Sequence, residues 1–294
     1  MDEQALISQE KTEEDFIALW IKQKRSAYTR KNYRRAIDKF KLFLRKRGVE
    51  NAVEASVFDL QAFVELMTEQ NLSNNTQKVT IDIIKSYLSY AQRVGFTSYN
   101  VGAVFTTLKK TETLSERILT KDEVRAMVTR AKDPRTRMII RVLYGSGLRV
   151  SELCHLQWKH VVDRGGGLVQ LNVLGKGEKK RHVLLSRGSS EAILSIGRGD
   201  DDEYILKNDA YHSPHLSERA VQRIIKFAAR DAGVKRWRQV SPHWLRHAHA
   251  THAIEKGTPI HLVRDTLGHS NIAVTNVYAH AMPGDSSGLH LEDF

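Results

Sequence analysis

Between Lys22 and Arg47, twelve Lys and Arg residues stand against one acid, Asp38, for a net charge of +11 in 26 residues. In the same stretch Tyr33, Ile37, Phe40 and Leu44 recur at helical spacing, with Ala36 and Phe43 alongside. The pattern predicts a helix with one apolar stripe and a basic opposite face. Ser26 is placed to cap its start and Gly48 to stop it. Such a helix can give only its stripe to a core. Its other face suits a polyanion, because Lys and Arg that neutralise phosphates supply affinity without regard to sequence. The candidate contacts are Lys22, Lys24, Arg25, Arg30, Lys31, Arg34, Arg35, Lys39 and Lys41. A solvated surface helix is the plainer alternative.

The rest of the chain supports the basic reading. Of 294 residues, 46 are Lys or Arg and 34 are Asp or Glu, a formal charge of +12 concentrated in that one segment. Hydrophobic residues make up 41%, enough for a proper core. No run approaches the 18 or so uncharged apolar residues of a membrane span. The acidic, polar start has neither the basic nor the apolar region of a signal peptide. The single cysteine, Cys154, can form no internal disulfide and has no thiol partner for a zinc site. These features point to a soluble bacterial cytoplasmic protein.

Further helices are expected from about Ser56 to Met67 and from Ser73 to near Gly95, so residues 12–97 read as a bundle of about four helices. Residues 98–114 read as a linker, rich in threonine and weak in periodicity. A new helix start follows at Thr120, with Glu123 completing a capping box. A helix over 134–144 ends at Gly145 and Gly147. The runs LVQLNV (168–173) and HVLL (182–185) flank LGKGEKKR and predict a β-hairpin. Helices are then expected over 216–231, 243–256, 260–267 and 271–281. The fold class is mainly α with one small antiparallel sheet.

Four polar groups stand out in the second part. Arg149 follows a Gly-x-Gly turn, with Glu152 three residues on and on the same helical face. Lys176 sits between glycines at the hairpin tip. His243 and Arg246, spaced i, i+3, open a helix behind Pro242, where a phosphate is favoured. His269 follows Leu267-Gly268, and Tyr278 lies nine residues later. Each taken alone reads equally well as a surface ion pair, a basic turn or a core aromatic. His243 and His247 are spaced i, i+4 but lack the acid of a zinc-protease motif. His247, His249 and His252 therefore read as packed or hydrogen-bonded helix residues, and no metal site is expected.

In this order the groups resemble the tyrosine recombinase (phage integrase) family, including its Xer-type members, over nearly the whole chain. The resemblance implies an N-terminal helical, SAM-like core-binding domain over 12–97, a linker over 98–114, a catalytic domain over 115–285 and a tail over 286–294. It further implies that Tyr278 attacks a scissile phosphate to give a 3′-phosphotyrosyl link. Arg149 and Arg246 would clamp the non-bridging oxygens, and Lys176 would protonate the leaving 5′ oxygen. His243 would assist proton transfer at the tyrosine, His269 would bond the phosphate, and Glu152 would support them. Neither ATP nor a metal or other cofactor is implied. The implied partners are double-stranded DNA with a specific site, other protomers in a synaptic tetramer, and accessory proteins. Family members commonly exchange a C-terminal segment between protomers, and Leu289, Leu291 and Phe294 are the anchors available here. Two other classes stay open: type IB topoisomerase-like relaxation, and a DNA-binding regulator that does not cleave.

Overall fold

The computed structural model describes residues 11–106, 117–175, 180–208 and 213–269, together with Thr275 and Tyr278. The chain divides into two compact units, Met1–Glu112 and Thr113–Phe294.

The first unit is helical: α1 (Glu13–Lys22), α2 (Ala27–Arg45), α3 (Val57–Glu69), α4 (Asn74–Arg93) and the short α5 (Val101–Val104). The basic segment is α2. Ser26 accepts the N–H of Thr29 at its start, and Ala36, Ile37, Phe40 and Leu44 form the buried stripe. Phe40 packs on Phe63 of α3 with ring centroids 5.1 Å apart. Trp20 of α1 meets Tyr87 of α4 edge-on at 5.3 Å. Aromatic pairs of this kind add to area burial in fixing how helices seat. The stretch from residue 98 onward is not simply a tether, because Val101 and Phe105 are buried in this core. Residues 107–116 of the expected linker lie outside the described residues.

The second unit has α6 (Lys121–Arg130), α7 (Pro134–Ser146), α8 (Val150–Cys154), β1 (Val161–Asp163), β2 (Val169–Leu174), β3 (Lys180–Leu184), α9 (Arg187–Leu194), α10 (Glu218–Asp231), α11 (Pro242–Glu255) and α12 (Ile260–Leu267). The Thr120–Glu123 capping box forms as expected. Asp133 caps α7, with Pro134 in its first position, where a missing N–H costs nothing. The sheet is antiparallel, ordered β1-β2-β3, with Val161 opposite Leu171 and Leu174 opposite Lys180. Val169, Leu171 and Val173 point into the core while Gln170 and Asn172 are half-buried, the two-residue alternation of a half-covered sheet. Leu143, Leu153, Leu171, Ile225 and Leu245 are fully buried in one core. β1 and α9 are absent from the sequence expectation. Three residues carry too little period to read, and α9 opens with Arg-Gly-Ser-Ser.

Candidate active site

The end of α7 sets the first part. Gly147 adopts the left-handed conformation (φ 62°), and a Cβ there would lie 2.7 Å from Leu267 and 2.9 Å from His249. Only glycine suits that position. The turn it makes presents its carbonyl to Arg246 and leads into Arg149, which caps α8.

Glu152, on α8, is a carboxylate with all four acceptor positions filled. Oε2 accepts the Arg149 backbone N–H at 2.8 Å and Arg181 Nη2 at 2.7 Å. Oε1 accepts Arg149 Nη1 and Arg181 Nη1, both at 2.9 Å. Burial works against the charge, but the Arg181 hydrogen bonds, followed by the Arg149 N–H, hold this carboxyl below the usual range. Arg181 also donates Nε–H to the Thr266 carbonyl of α12 at 2.8 Å. One side chain thus ties α8, β3 and the approach to His269 together. Sequence reasoning missed Arg181, because its partner is 29 positions away and it stands among the hairpin lysines.

Arg246 of α11 is 4% exposed. It donates to the carbonyls of Gly147 and Leu267 and, through Nη2, to His269 Nε2 at 2.9 Å. Three of its five N–H groups are thereby committed, and all three partners are neutral. Burial, and then the Arg149 charge, lower it to about 10, so it remains protonated at neutral pH. A buried guanidinium that faces a second cation and has no carboxylate partner among the described residues is a place for an anion.

The histidines beside Arg246 are held toward the neutral form. Because Arg246 can only donate, His269 Nε2 accepts, and its Nδ1–H faces Thr275 Oγ1 at 3.0 Å. Burial, followed by the charges of Arg246, Arg149 and Arg181, takes His269 down to about 4. His243 is also lowered, by burial and then by Arg246 and Arg149. Tyr278 is buried with Ala250, Val263 and Leu267. Burial raises its phenol above the ordinary 10, while Arg246 and Arg149 pull the other way. His247 Nδ1 lies 2.8 Å from Tyr278 Oη. The sequence placed His247 with His249 and His252 as a helix residue. The other two bond to Tyr144, His249 to its carbonyl and His252 to its hydroxyl.

The structure therefore pairs Arg149 with Glu152 and Arg246 with His269 by hydrogen bonds, stacks the Tyr278 ring 6.5 Å from that of His269, and sets His243 a turn from His247 at 6.2 Å between ring centroids. Lys176 falls between β2 and β3 in the sequence and lies outside the described residues. The expected 271–281 helix is described only at Thr275 and Tyr278, and Leu289, Leu291 and Phe294 lie outside. Among the described residues no group of three or more His, Cys, Asp or Glu could hold a metal ion, and no helix is long and apolar enough to cross a membrane.

In the first unit the basic face is more committed than its composition suggests. Lys41, 11% exposed, pairs with buried Glu13 at 2.7 Å, and Arg34 pairs with Glu14 and Asp38. Arg30 donates to the Lys24 and Arg25 carbonyls, Lys39 to Gln70, and Lys24 lies over the Trp20 and Tyr33 rings. Lys22, Arg25, Lys31 and Arg35 are exposed, with no ion pair among the described residues.

Arg149 and Arg246 thus stand near a buried tyrosine in the second unit. The family model for the phage integrase family matches residues 117–284, and that for its N-terminal SAM-like domain matches residues 14–95. The tyrosine recombinase XerC of Xanthomonas campestris pv. campestris is 31% identical over 275 residues, which cover 91% of this chain and 83% of the relative. XerD of Rhizobium meliloti is 28% identical over 273 residues, covering 87% and 86%. The crystal structure of XerH site-specific recombinase bound to difH substrate has the same fold, with a TM-score of 0.70 at 21% identity, over 96% of this chain and 84% of that one. The chain belongs to the phage integrase family: it is a tyrosine recombinase, an enzyme that breaks and rejoins DNA. Neither topoisomerase-like relaxation nor a non-cleaving regulator is favoured by these relatives.

Proposed function

We propose that the residues gathered at α8, α11 and α12 divide one reaction among them. Tyr278 attacks the scissile phosphate in line, and a 3′-phosphotyrosyl diester replaces the original bond. Arg149 and Arg246 hold the non-bridging oxygens as charge develops, where donors fixed in advance lower the barrier most. His269 hydrogen-bonds the phosphate once it carries a proton on Nε2, donating that N–H to an oxygen. Lys176 protonates the departing 5′ oxygen. Glu152 keeps Arg149 aimed, and His243 stands one helical turn from His247 on α11. The bond energy stays in the diester, so a free 5′ hydroxyl reverses the step and rejoins a strand.

The observation that carries this reading is Arg246, a buried cation whose partners among the described residues are all neutral and which is set beside Arg149 and Tyr278. On the wider scale we take residues 12–97 as the core-binding domain, 98–114 as the linker and 115–285 as the catalytic domain. The exposed cations Lys22, Arg25, Lys31 and Arg35 then touch the DNA backbone. The partners are a specific recombination site, three further protomers in a synaptic tetramer, and accessory proteins, in the bacterial cytoplasm.

The test uses nicked suicide duplexes carrying the site recovered by sequencing DNA fragments that a Tyr278→Phe variant retains. Wild-type protein should give a protein–DNA adduct that survives denaturant. Y278F should bind the same duplex without forming one, and an adduct with Y278F overturns the assignment.

A further inference from the structure

We propose that His247 is a catalytic residue of this enzyme, the group that takes the Tyr278 proton as the phenol attacks. The proposal rests on Tyr278 being the nucleophile and deepens that reading.

A phenol is a poor nucleophile until its proton has somewhere to go. Among the described residues, His247 Nδ1 is the hydrogen-bonding partner of Tyr278 Oη, at 2.8 Å, inside the reach required of a general base. The two rings sit 5.5 Å apart between centroids, tilted by 45°. His243, the residue that the family resemblance puts forward for this proton, makes no hydrogen bond to Oη among the described residues. Its ring centroid lies 6.2 Å from that of His247. On α11, His243, Arg246 and His247 follow an i, i+3, i+4 spacing, so the phosphate clamp and the proton acceptor share one rigid face.

The electrostatics fit this order of events. Burial, then His243 and Arg246, bring His247 down to about 4, so its ring is neutral and Nδ1 is free to accept. The Arg246 charge opposes an imidazolium at His247. A phosphodiester placed between Arg149 and Arg246 screens that repulsion, so the acceptor gains basicity when substrate is in place.

The step balances. The Oη lone pair forms the O–P bond and the Oη proton passes to Nδ1. The bond from phosphorus to the 5′ oxygen breaks, and that oxygen takes a proton from Lys176. Religation runs the sequence backwards, with the His247 imidazolium returning its proton to the departing phenolate.

Two substitutions separate chemistry from packing. In His247→Asn the amide oxygen can take the place of Nδ1 and accept the phenol hydrogen bond, but it cannot hold a proton. His247→Ala removes both. Single-turnover adduct formation is measured on the nicked duplex and on one with sulfur in place of the bridging 5′ oxygen, a leaving group that needs no acid. H247N and H247A should both slow by about 10²–10⁴-fold, the usual range for a general base, on both duplexes. The sulfur duplex should rescue Lys176→Ala and leave H247N slow. H247N should slow religation as well.

H247N within threefold of wild type, with H247A slow, overturns the proposal and leaves a seat for the tyrosine only. Rescue of H247N by sulfur overturns it too. A measurement free of cleavage accompanies these: 15N NMR of histidine-labelled full-length protein, with the His247 signal identified by its loss in H247N. A bare Nδ1 with the proton on Nε2 is expected, and a proton on Nδ1 refutes the hydrogen-bond direction. Wild-type protein that forms no adduct brings down the nucleophile reading itself, whereas cleavage by wild type and H247N alike brings down this proposal alone.

Discussion

Replacing Glu152 by Gln keeps the shape of the side chain and removes its charge. In the native protein four hydrogen bonds converge on the carboxylate, two from each of Arg149 and Arg181. The amide offers one acceptor oxygen and sets an NH2 group against guanidinium donors. Glu152 is 7% exposed and Arg181 10%, so water cannot make good the loss. Breaking a buried pair by removing one partner costs about 3–5 kcal/mol. Arg149, 32% exposed, keeps part of its hydration, which points to the lower end, about 3 kcal/mol. In a domain of roughly 150–250 residues each kcal/mol moves Tm by about 2–4 °C. Calorimetric melting at pH 7 should therefore show the second unit of E152Q unfolding about 6–12 °C early. Removing the orphaned charge as well should relieve the strain. The double variant E152Q/R181M should lie at least about 1 kcal/mol above the sum of the single changes. A Tm within about 2 °C of wild type for E152Q, or strict additivity in the double variant, refutes the account of Glu152 as the tie between α8 and β3.

Gly147→Ala should cost about 2–4 kcal/mol and lower adduct formation more than DNA affinity, since it combines a left-handed backbone with contacts under 3 Å to Leu267 and His249; a variant as stable and active as wild type contradicts this. His247 and His269 are both lowered to about 4 from the ordinary 6.5. The unfolded chain therefore binds more protons between those values, so the stability these groups contribute is complete above about 6.5 and is lost as pH falls toward 4. Melting temperature should drop over that window and drop less in H247N, and an unchanged slope in the variant refutes the burial argument. In the first unit, Lys31→Ala and Arg35→Ala should each lower the slope of log K against log salt by about 1. Lys41→Ala should leave that slope alone and lower Tm instead, because it orphans buried Glu13; the reverse pattern contradicts the division of the basic face.

The parts of this site that could be read from the chain are those whose signal is local. Arg149 with Glu152, and His243 with Arg246, are pairs within one helical turn, and the glycines at 147 and 268 mark helix ends that the structure keeps in the left-handed region. What stayed hidden depends on contacts over long separations. Arg181 is 29 residues from Glu152 and 85 from Thr266, so no spacing announces it. His247 stands in a helix with four histidines close together, and only the approach of Tyr278, 31 residues on, distinguishes it from His249. The basic helix shows the converse limit. Its own sequence supplies one acid, Asp38, yet Glu13 and Glu14 arrive from α1 to occupy Lys41 and Arg34. Charge counted along a helix says how many cations are present, and only packing says which remain for DNA.

Tyr278 is one of nine tyrosines, and the whole account turns on its being the one that takes the phosphate. The most direct measurement is mass spectrometry of the adduct trapped on the nicked duplex, digested to peptides and nucleotides. The modified peptide should contain Tyr278, with a nucleotide joined to Oη through its 3′ phosphate. A nucleotide on another residue, or one joined through a 5′ phosphate, contradicts the account.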